Sequence, residues 1–175
     1  KLLEINEKHH FLKPGYCVVD LGAAPGGWTQ VAVEAVKARE GKGKVISIDL
    51  QEMSPIPGTT FIMKDFTQDD APELIKEVLG GHKAHVVMTD MAAKASGHPP
   101  TDHLAIMMLA ELAFLFAQEV LCEGGTYLAK VLQGGTEKSL LDQLKKHFKV
   151  VKHVKPPASR KDSSEMYVLA LGFKP

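Results

Sequence analysis

Short apolar runs alternate along the first half of the chain with segments whose apolar residues recur at helical spacing. Four short, mostly apolar runs predict strands, the fourth of which is unbroken as in the centre of a parallel sheet, and the amphipathic segments between them predict helices. The predicted strands cover residues 17–21, 44–49, 60–64 and 84–89, and the predicted helices cover 27–37 and 71–79. This alternation predicts β-α-β units around a parallel sheet.

A longer helix is predicted over residues 102–121. Four of its apolar residues recur at helical spacing, and they are Leu104, Met108, Leu112 and Leu115. Asp102 is a suitable N-cap, because its carboxylate can accept hydrogen bonds from the first free amides of a helix. We expect this helix to cover the sheet.

The C-terminal part of the chain predicts a strand, then a helix, and then two further strands. The strands cover 126–131, 150–154 and 166–171, and the helix is marked by Leu140, Leu141, Leu144 and Phe148. The last two strands leave no room for the long crossover that parallel neighbours need, so they are predicted to be antiparallel. The predicted fold is α/β and Rossmann-like, in a single domain over 1–175. Its seven-stranded sheet is mostly parallel, with an antiparallel last strand and helices on both faces.

Composition agrees with one globular domain, since 45% of the 175 residues are apolar and 24% are charged. The apolar runs are far shorter than the roughly 20 residues of a membrane span, so no membrane partner is expected. The two cysteines, Cys17 and Cys122, form no Cys-x-x-Cys pair and indicate a reducing compartment. His98, Asp102 and His103 are conceivable metal ligands, but loop histidines are usually solvated and no metal is expected.

The formal net charge is zero, which argues against tight binding of nucleic acid through bulk charge alone. Positive charge is nevertheless concentrated near the C-terminus, at Lys145, Lys146, Lys149, Lys152, Lys155, Arg160 and Lys161. Such a run is either a phosphate-binding surface or a solvated face, and the sequence leaves both open.

A glycine-rich loop, Asp-Leu-Gly-Ala-Ala-Pro-Gly-Gly-Trp over residues 20–28, joins the first predicted strand to the first predicted helix. Open α/β sheets bind ligands at this position, and glycines let the backbone approach a ligand closely. Gly22, Gly26 and Gly27 do not match the Gly-x-Gly-x-x-Gly spacing of dinucleotide binders, and Pro25 lacks an amide for a pyrophosphate. The loop therefore favours a cofactor without phosphates over a simple tight turn.

Carboxylates follow three consecutive predicted strands. Asp49 ends the second strand, where an acidic side chain can accept both hydroxyls of a ribose. Asp65 follows the third strand beside Phe66, so that a carboxylate could read an adenine amino group while the ring packs on its face. Asp90 ends the fourth strand. Each acid alone is as easily a helix cap or a surface charge, but jointly they indicate a ligand site, which Trp28 either joins or supports from the core.

The glycine loop and three later motifs together resemble those of the FtsJ/RrmJ family of ribosomal RNA ribose 2′-O-methyltransferases. Members of this family have the class I methyltransferase fold. The later motifs are Thr-Asp-Met-Ala (89–92), Lys-Val-Leu-Gln-Gly (130–134) and Ser-Glu-Met-Tyr (164–167). The similarity runs from Lys1 to Pro175. The chain departs from the family pattern at Ala93 and Lys94, where the family usually has Pro-Asn.

The resemblance implies a catalytic tetrad and a set of contacts to S-adenosylmethionine. The tetrad is Lys1, Asp90, Lys130 and Glu165, and the cofactor contacts are Gly26, Trp28, Asp49, Asp65 and Asp90. The implied reaction is methylation of a ribose 2′-hydroxyl, on a uridine of large-subunit ribosomal RNA. We expect a monomer in the cytoplasm, or in the mitochondrial matrix if a targeting peptide precedes Lys1. Because the chain is neutral with one basic stretch, we expect its target to be an assembled large subunit rather than naked RNA.

Methyl transfer from a sulfonium is an in-line displacement, so the protein must align the attacking hydroxyl and polarise or deprotonate it. Lys130 can take that proton only when it is uncharged. Lys1 would favour this state, whereas Asp90 and Glu165 would oppose it while holding the lysine in place. Two other interpretations stay open: Lys130 as a phosphate contact, and Glu165 as a surface partner of Arg160.

Other functions fit the sequence less well. A nicotinamide oxidoreductase would need a different glycine spacing. Base N-methyltransferases commonly carry Asn/Asp-Pro-Pro-Tyr/Phe after the fourth strand, and cytosine C5 enzymes need a cysteine near that strand or the next, whereas Cys17 and Cys122 lie elsewhere. A non-catalytic RNA-binding protein of the same fold is the remaining alternative. Retention of all four tetrad residues argues against it.

Overall fold

The computed structural model describes residues 1–91, 97–132, 138–156 and 165–175. Within these residues, seven strands and five α-helices follow one another along the chain. The strands are β1 (Cys17–Leu21), β2 (Lys44–Asp49), β3 (Thr59–Met63), β4 (Ala84–Thr89), β5 (Leu121–Leu132), β6 (Phe148–Val154) and β7 (Glu165–Phe173). The helices are α1 (Leu2–His9), α2 (Gly27–Val36), α3 (Ala71–Leu79), α4 (Pro99–Val120) and α5 (Lys138–His147).

All seven strands form one sheet in the order β3-β2-β1-β4-β5-β7-β6. All pairs among the first five strands, β1 to β5, are parallel, whereas β7 runs antiparallel to its two neighbours, β5 and β6. The predicted α/β fold with an antiparallel last strand is therefore confirmed. In the sheet, β1 lies between β2 and β4. The connections that follow β1 and β4 therefore lead away in opposite directions, and a crevice opens between them at the carboxyl ends of the strands.

The sheet is covered on both faces, as predicted. Alternate strand residues such as Val19 and Val87 pack beneath α3, α4 and α5, and residues such as Val18 and Met88 pack beneath α1 and α2. Helix α1 has no counterpart in the sequence-based prediction. It is only eight residues long and contributes just Leu2 and Ile5 to the core, too few positions to form a recognisable periodic pattern.

Helix α4 covers the sheet, but its predicted apolar stripe faces away from it. Leu104, Met108, Leu112 and Leu115 are 56%, 60%, 36% and 57% exposed. The buried side consists of other residues, chiefly Ile106, Met107, Ala110, Ala113, Phe114 and Ala117. Apolar residues surround most of this helix, so spacing alone did not select a face. The small alanines allow the closer approach to the strands.

The start of α4 also differs from the prediction. The helix begins at Pro99 after His98, and the Asp102 amide donates to the His98 carbonyl. Asp102 therefore lies within the first turn, and its prediction as N-cap was wrong. Proline is well suited to a first helical position because its missing amide would have no partner there.

By length and composition alone, the part of α4 from Pro100 to Val120 could cross a membrane. In the structure its buried side packs against β4 and β5 within the core. A core helix passes the same test of length and hydropathy, so the expectation of no membrane partner stays a prediction.

Candidate active site

The loop between β1 and α2 is held against the end of β2 by backbone amides. The amides of Gly22 and Ala23 both donate to the Ile48 carbonyl, at 2.8 and 3.1 Å. The Ala24 amide donates to Asp49 Oδ2 at 2.9 Å. Gly22 has a φ of +72°, and a Cβ at this position would overlap the Met91 side chain. The loop path therefore requires glycine at residue 22.

A cavity of about 380 Å³ opens beside this loop at the carboxyl edge of the sheet. Asp49, Asp65 and Asp90 line this cavity together with Gly22 of the loop and Leu109 of α4. Three acids predicted at successive strand ends thus meet in one cavity. Its volume is within the range of small-molecule sites.

The two acids at the β2 and β3 ends are held by short hydrogen bonds. Asp49 Oδ1 accepts from the Gln51 amide at 2.8 Å, which leaves both oxygens of Asp49 bonded to backbone. Asp65 Oδ1 accepts from the Thr67 hydroxyl at 2.7 Å and from its amide at 2.9 Å. The bond from the Thr67 hydroxyl lowers the pKa of Asp65. Asp65 is therefore an anion at neutral pH.

Of the two aromatic residues predicted for the cofactor site, Phe66 lines the cavity and Trp28 does not. Phe66 is only 5% exposed, and its ring forms a T-shaped pair with that of Phe116 at a centroid distance of 5.5 Å. Trp28 is outside the lining of this cavity, and its ring packs 5.4 Å from that of Tyr167. Gly26 and Gly27 also lie outside this lining, at the start of α2. Gly22 and Ala24 of the predicted loop line the cavity, and among the described residues the sequence-based prediction missed Ile48, Leu50, Gln51, Thr67, Met91 and Leu109 as lining residues.

Next to the cavity, Lys130 lies between two carboxylates. Its Nζ is 3.3 Å from Asp90 Oδ1 and 3.5 Å from Glu165 Oε2. Lys130 is 9% exposed, whereas both acids remain about one third exposed. The strand register explains this grouping, because Lys130 of β5 faces Tyr167 of β7 and Glu165 lies two residues before Tyr167 on the same face. Three of the four predicted catalytic residues are thereby brought together.

Tyr167 is a member of this cluster that sequence reasoning did not assign. Its hydroxyl donates to Asp90 Oδ1 at 2.9 Å. Burial raises the pKa of the Tyr167 phenol, and the neighbouring Asp90 carboxylate raises it further. Tyr167 therefore stays protonated and orients the carboxylate that also holds Lys130. Its place in the Ser-Glu-Met-Tyr motif was the available signal.

Lys1 lies at the N-terminal end of α1, with an exposed side chain. The next residue, Leu2, is buried in the same core cluster as Tyr167, which places the start of α1 on the face of the sheet that carries Lys130. Among the described contacts, the Lys1 side chain has no ion pair or hydrogen bond with Asp90, Lys130 or Glu165. Its role in the tetrad stays a prediction.

Several sequence-based expectations concern residues outside the described ranges, namely Ala93, Lys94, Arg160 and Lys161. The predicted alternative pairing of Glu165 with Arg160 is among them. Within the described ranges, no group of three His, Cys, Asp or Glu side chains is placed to hold a metal ion. The His98 ring bonds instead to the Thr101 hydroxyl at 2.7 Å.

Comparison with known proteins finds the FtsJ-like methyltransferase family model matching residues 1–173. Ribosomal RNA large subunit methyltransferase E of Paramagnetospirillum magneticum is 59% identical over 176 residues. The protein of the same name from Rhodopseudomonas palustris is 60% identical over 174 residues. These alignments cover 99% of this chain and 72% and 74% of the two relatives.

Solved structures agree with the fold. A Plasmodium falciparum protein assigned as a ribosomal RNA methyltransferase is 31% identical, with a TM-score of 0.85, and the match covers 98% of this chain and 94% of that one. Human methyltransferase-like protein 13, solved in complex with S-adenosylhomocysteine, is 12% identical, with a TM-score of 0.61 and coverage of 99% and 79%. At that identity the second likeness supports the fold alone.

Proposed function

Since this chain belongs to the FtsJ-like methyltransferase family, we propose that it transfers a methyl group from S-adenosylmethionine to a ribose 2′-hydroxyl in large-subunit ribosomal RNA. The match to the family model confirms the resemblance that the motifs indicated. The chain is an S-adenosylmethionine-dependent methyltransferase, and its curated relatives are named for the large ribosomal subunit.

The residues around the cavity suit S-adenosylmethionine, which supplies a methyl group on a positively charged sulfur. The acidic lining of Asp49, Asp65 and Asp90 attracts a cation. Asp49 would accept the ribose hydroxyls, and Asp65 the adenine amino group. The backbone of Gly22 and Ala24 would lie close to the ligand, and the nearly buried Phe66 would add an apolar contact. Gly26, Gly27 and Trp28 would support the loop from outside the cavity lining.

One observation carries the catalytic assignment: a nearly buried lysine is held between two carboxylates at the rim of the cofactor cavity. Asp90 belongs to both the cavity and the lysine cluster, so a hydroxyl that reaches Lys130 is also next to the cofactor. Lys130 would hold and polarise that hydroxyl, or accept its proton when uncharged. Asp90 and Glu165 would fix the position of the ammonium, and Tyr167 that of Asp90.

The finer assignments belong to the same proposal. A uridine ribose within an assembled large subunit is the proposed target, because a chain with zero net charge needs shape as well as charge to bind RNA. Lys149 and Lys152 on the exposed edge strand β6 offer phosphate contacts. We further propose a cytoplasmic location, which the bacterial origin of the named relatives supports, and a monomeric state.

The test is methyl transfer from tritiated S-adenosylmethionine to large-subunit particles and to naked ribosomal RNA from cells that lack the gene. Alkaline hydrolysis needs a free 2′-hydroxyl, so a ribose methyl group leaves the label in an alkali-resistant dinucleotide. Label on a base would overturn the ribose assignment. Binding of S-adenosylmethionine without any transfer would instead support the non-catalytic alternative. Preference for naked RNA would contradict the assembled subunit as target.

A further inference from the structure

Three polar side chains lie buried beneath the cofactor loop, although the proposed reaction uses none of them. Asp20 is 1% exposed, and Thr29 and Ser47 are fully buried. Asp20 and Ser47 are register neighbours on β1 and β2, and Thr29 comes from the first turn of α2. The three residues therefore join the two strands and the helix that carry the loop.

Two short hydrogen bonds link these residues in a chain. The Thr29 hydroxyl donates to Asp20 Oδ2 at 2.7 Å, and Thr29 Oγ1 lies 2.8 Å from Ser47 Oγ. A hydroxyl has one proton to donate, so Ser47 donates to Thr29 while Asp20 is ionised. If Asp20 gains a proton, its carboxyl group can donate to Thr29, and the Thr29 proton can turn towards Ser47. The direction of this chain thus follows the charge of Asp20.

The charge of Asp20 is finely balanced. The pKa of Asp20 is raised to about 7, chiefly by burial and further by the nearby carboxylates of Asp90 and Asp49, while the bond from Thr29 acts in the opposite direction. Among the ion pairs of the described residues, none includes Asp20. Near neutral pH the protein therefore holds Asp20 in both protonation states, and any added positive charge will favour the ionised one.

We propose that Asp20 is a positioning residue that releases its proton to solvent when S-adenosylmethionine binds, so that binding of the cation and ionisation of Asp20 are coupled. This inference rests on the proposed function, which brings a sulfonium beside the acids around Asp20. The released proton leaves a carboxylate that holds Thr29, and with it the first turn of α2, in the ligand-bound arrangement. The coupling also makes cofactor affinity depend on pH.

The experiment is titration calorimetry of the whole chain with S-adenosylmethionine in buffers of different ionisation enthalpy, which counts the protons released. The wild type should release roughly half to three quarters of a proton at pH 6.5 through Asp20, and less than about a tenth at pH 8.5. The amino group of the ligand also titrates in this range, so the Asp20-linked count is the difference between wild type and Asp20→Asn. Equal counts in these two proteins would overturn the proposal.

S-adenosylhomocysteine provides the matched ligand, because its sulfur is neutral. The Asp20-linked release should be smaller with it, and Asp20→Asn should lower affinity for S-adenosylmethionine at least about threefold more than for S-adenosylhomocysteine. If Asp20 had a purely structural role, Asp20→Asn would lower the affinity for both ligands equally and would release as many protons as the wild type. That result would contradict the coupling.

Thr29→Val keeps the shape of the buried residue, removes the bond to Asp20 and covers the case in which Asp20→Asn does not fold. Since that bond lowers the pKa of Asp20, its loss should move the proton release to higher pH. An unmoved pH dependence would overturn the proposal. Absence of any S-adenosylmethionine binding by the wild type would instead overturn the proposed function, so the two failures are distinguishable.

Discussion

The two halves of the cleft are built in different ways. The cofactor half, around the ends of β1 and β2, is made by backbone amides of one short loop that bond to Ile48 and Asp49. The proposed catalytic half is made by side chains of β5 and β7 and by Asp90, which directly follows β4, with Lys130 held between Asp90 and Glu165. The first half depends on the path of the backbone, and the second on the chemistry of side chains. Mutations should therefore affect binding in one half and turnover in the other.

The largest effect is expected for Lys130, where the comparison predicts loss of turnover without loss of cofactor affinity. Proton transfer by a positioned group is typically worth about 10²- to 10⁴-fold, so Lys130→Ala should lose at least that much single-turnover rate. Lys130→Arg separates two roles, because arginine keeps the charge but cannot deprotonate. As a base, Lys130 should be no better replaced by Arg than by Ala.

The pH profile provides the control for the size of arginine. A base gives a wild-type rate that rises with pH and then levels off, and Lys130→Ala should remove that inflection. Survival of the inflection in the alanine variant would exclude Lys130 as the titrating group. A rate above about a tenth of wild type in Lys130→Arg alone would indicate electrostatic steering.

Gly22→Ala should break the cofactor half through its backbone. A side chain there would overlap Met91 at a φ of +72°, so the free energy of unfolding should fall by about 2 to 4 kcal/mol and affinity for S-adenosylmethionine at least about tenfold. Gly27→Ala is the matched control, since a Cβ there meets nothing within 4 Å and Gly27 lies in a helix. Chemical denaturation should show Gly27→Ala unchanged or slightly more stable. Equal stability of the two variants would contradict the packing argument.

Asp49→Ala should weaken S-adenosylmethionine binding by roughly 1 to 3 kcal/mol, because the ribose loses its charged acceptor and the Ala24 amide loses its partner. Calorimetry measures this loss, and Asp69→Ala controls for removing an exposed negative charge outside the cavity lining. Unchanged affinity in Asp49→Ala would remove this residue from the site.

The smallest effect is expected for Tyr167→Phe, which removes one hydrogen bond to Asp90 and leaves the ion pair to Lys130. A typical hydrogen bond contributes about 0.5 to 1.5 kcal/mol net, and Asp90 keeps its ion pair to Lys130, so the single-turnover rate should fall by roughly two- to twelvefold while cofactor affinity stays the same. Tyr127→Phe is the control, because this buried tyrosine donates to the Ala110 carbonyl, away from the cleft. It should lower stability but not turnover, and an equal loss of turnover in both would refute the role of Tyr167.

Local patterns were sufficient for most of the fold. Buried parallel strands are mostly apolar, so β1, β2 and β4 were predicted with the bounds that the structure has. The glycine loop and the acids after β2, β3 and β4 were also readable, because a strand end in an open α/β sheet is a position of known chemistry. The resemblance to a family added the tetrad, whose Asp90, Lys130 and Glu165 the structure brings together.

The sequence by itself therefore determined all seven strands, every α-helix except α1 and the strand ends that carry the candidate site, since these depend on neighbouring residues along the chain. Only the tertiary structure decided how these segments face one another. Helix α4 is apolar on several sides, and contact with the sheet selected the side with Met107 and Phe114 instead of Leu104 and Leu115. The antiparallel register of β7 on β5 placed Tyr167 opposite Lys130. The packing of α2 on β1 and β2 buried Asp20, because desolvation depends on every element around a side chain rather than on its neighbours in sequence.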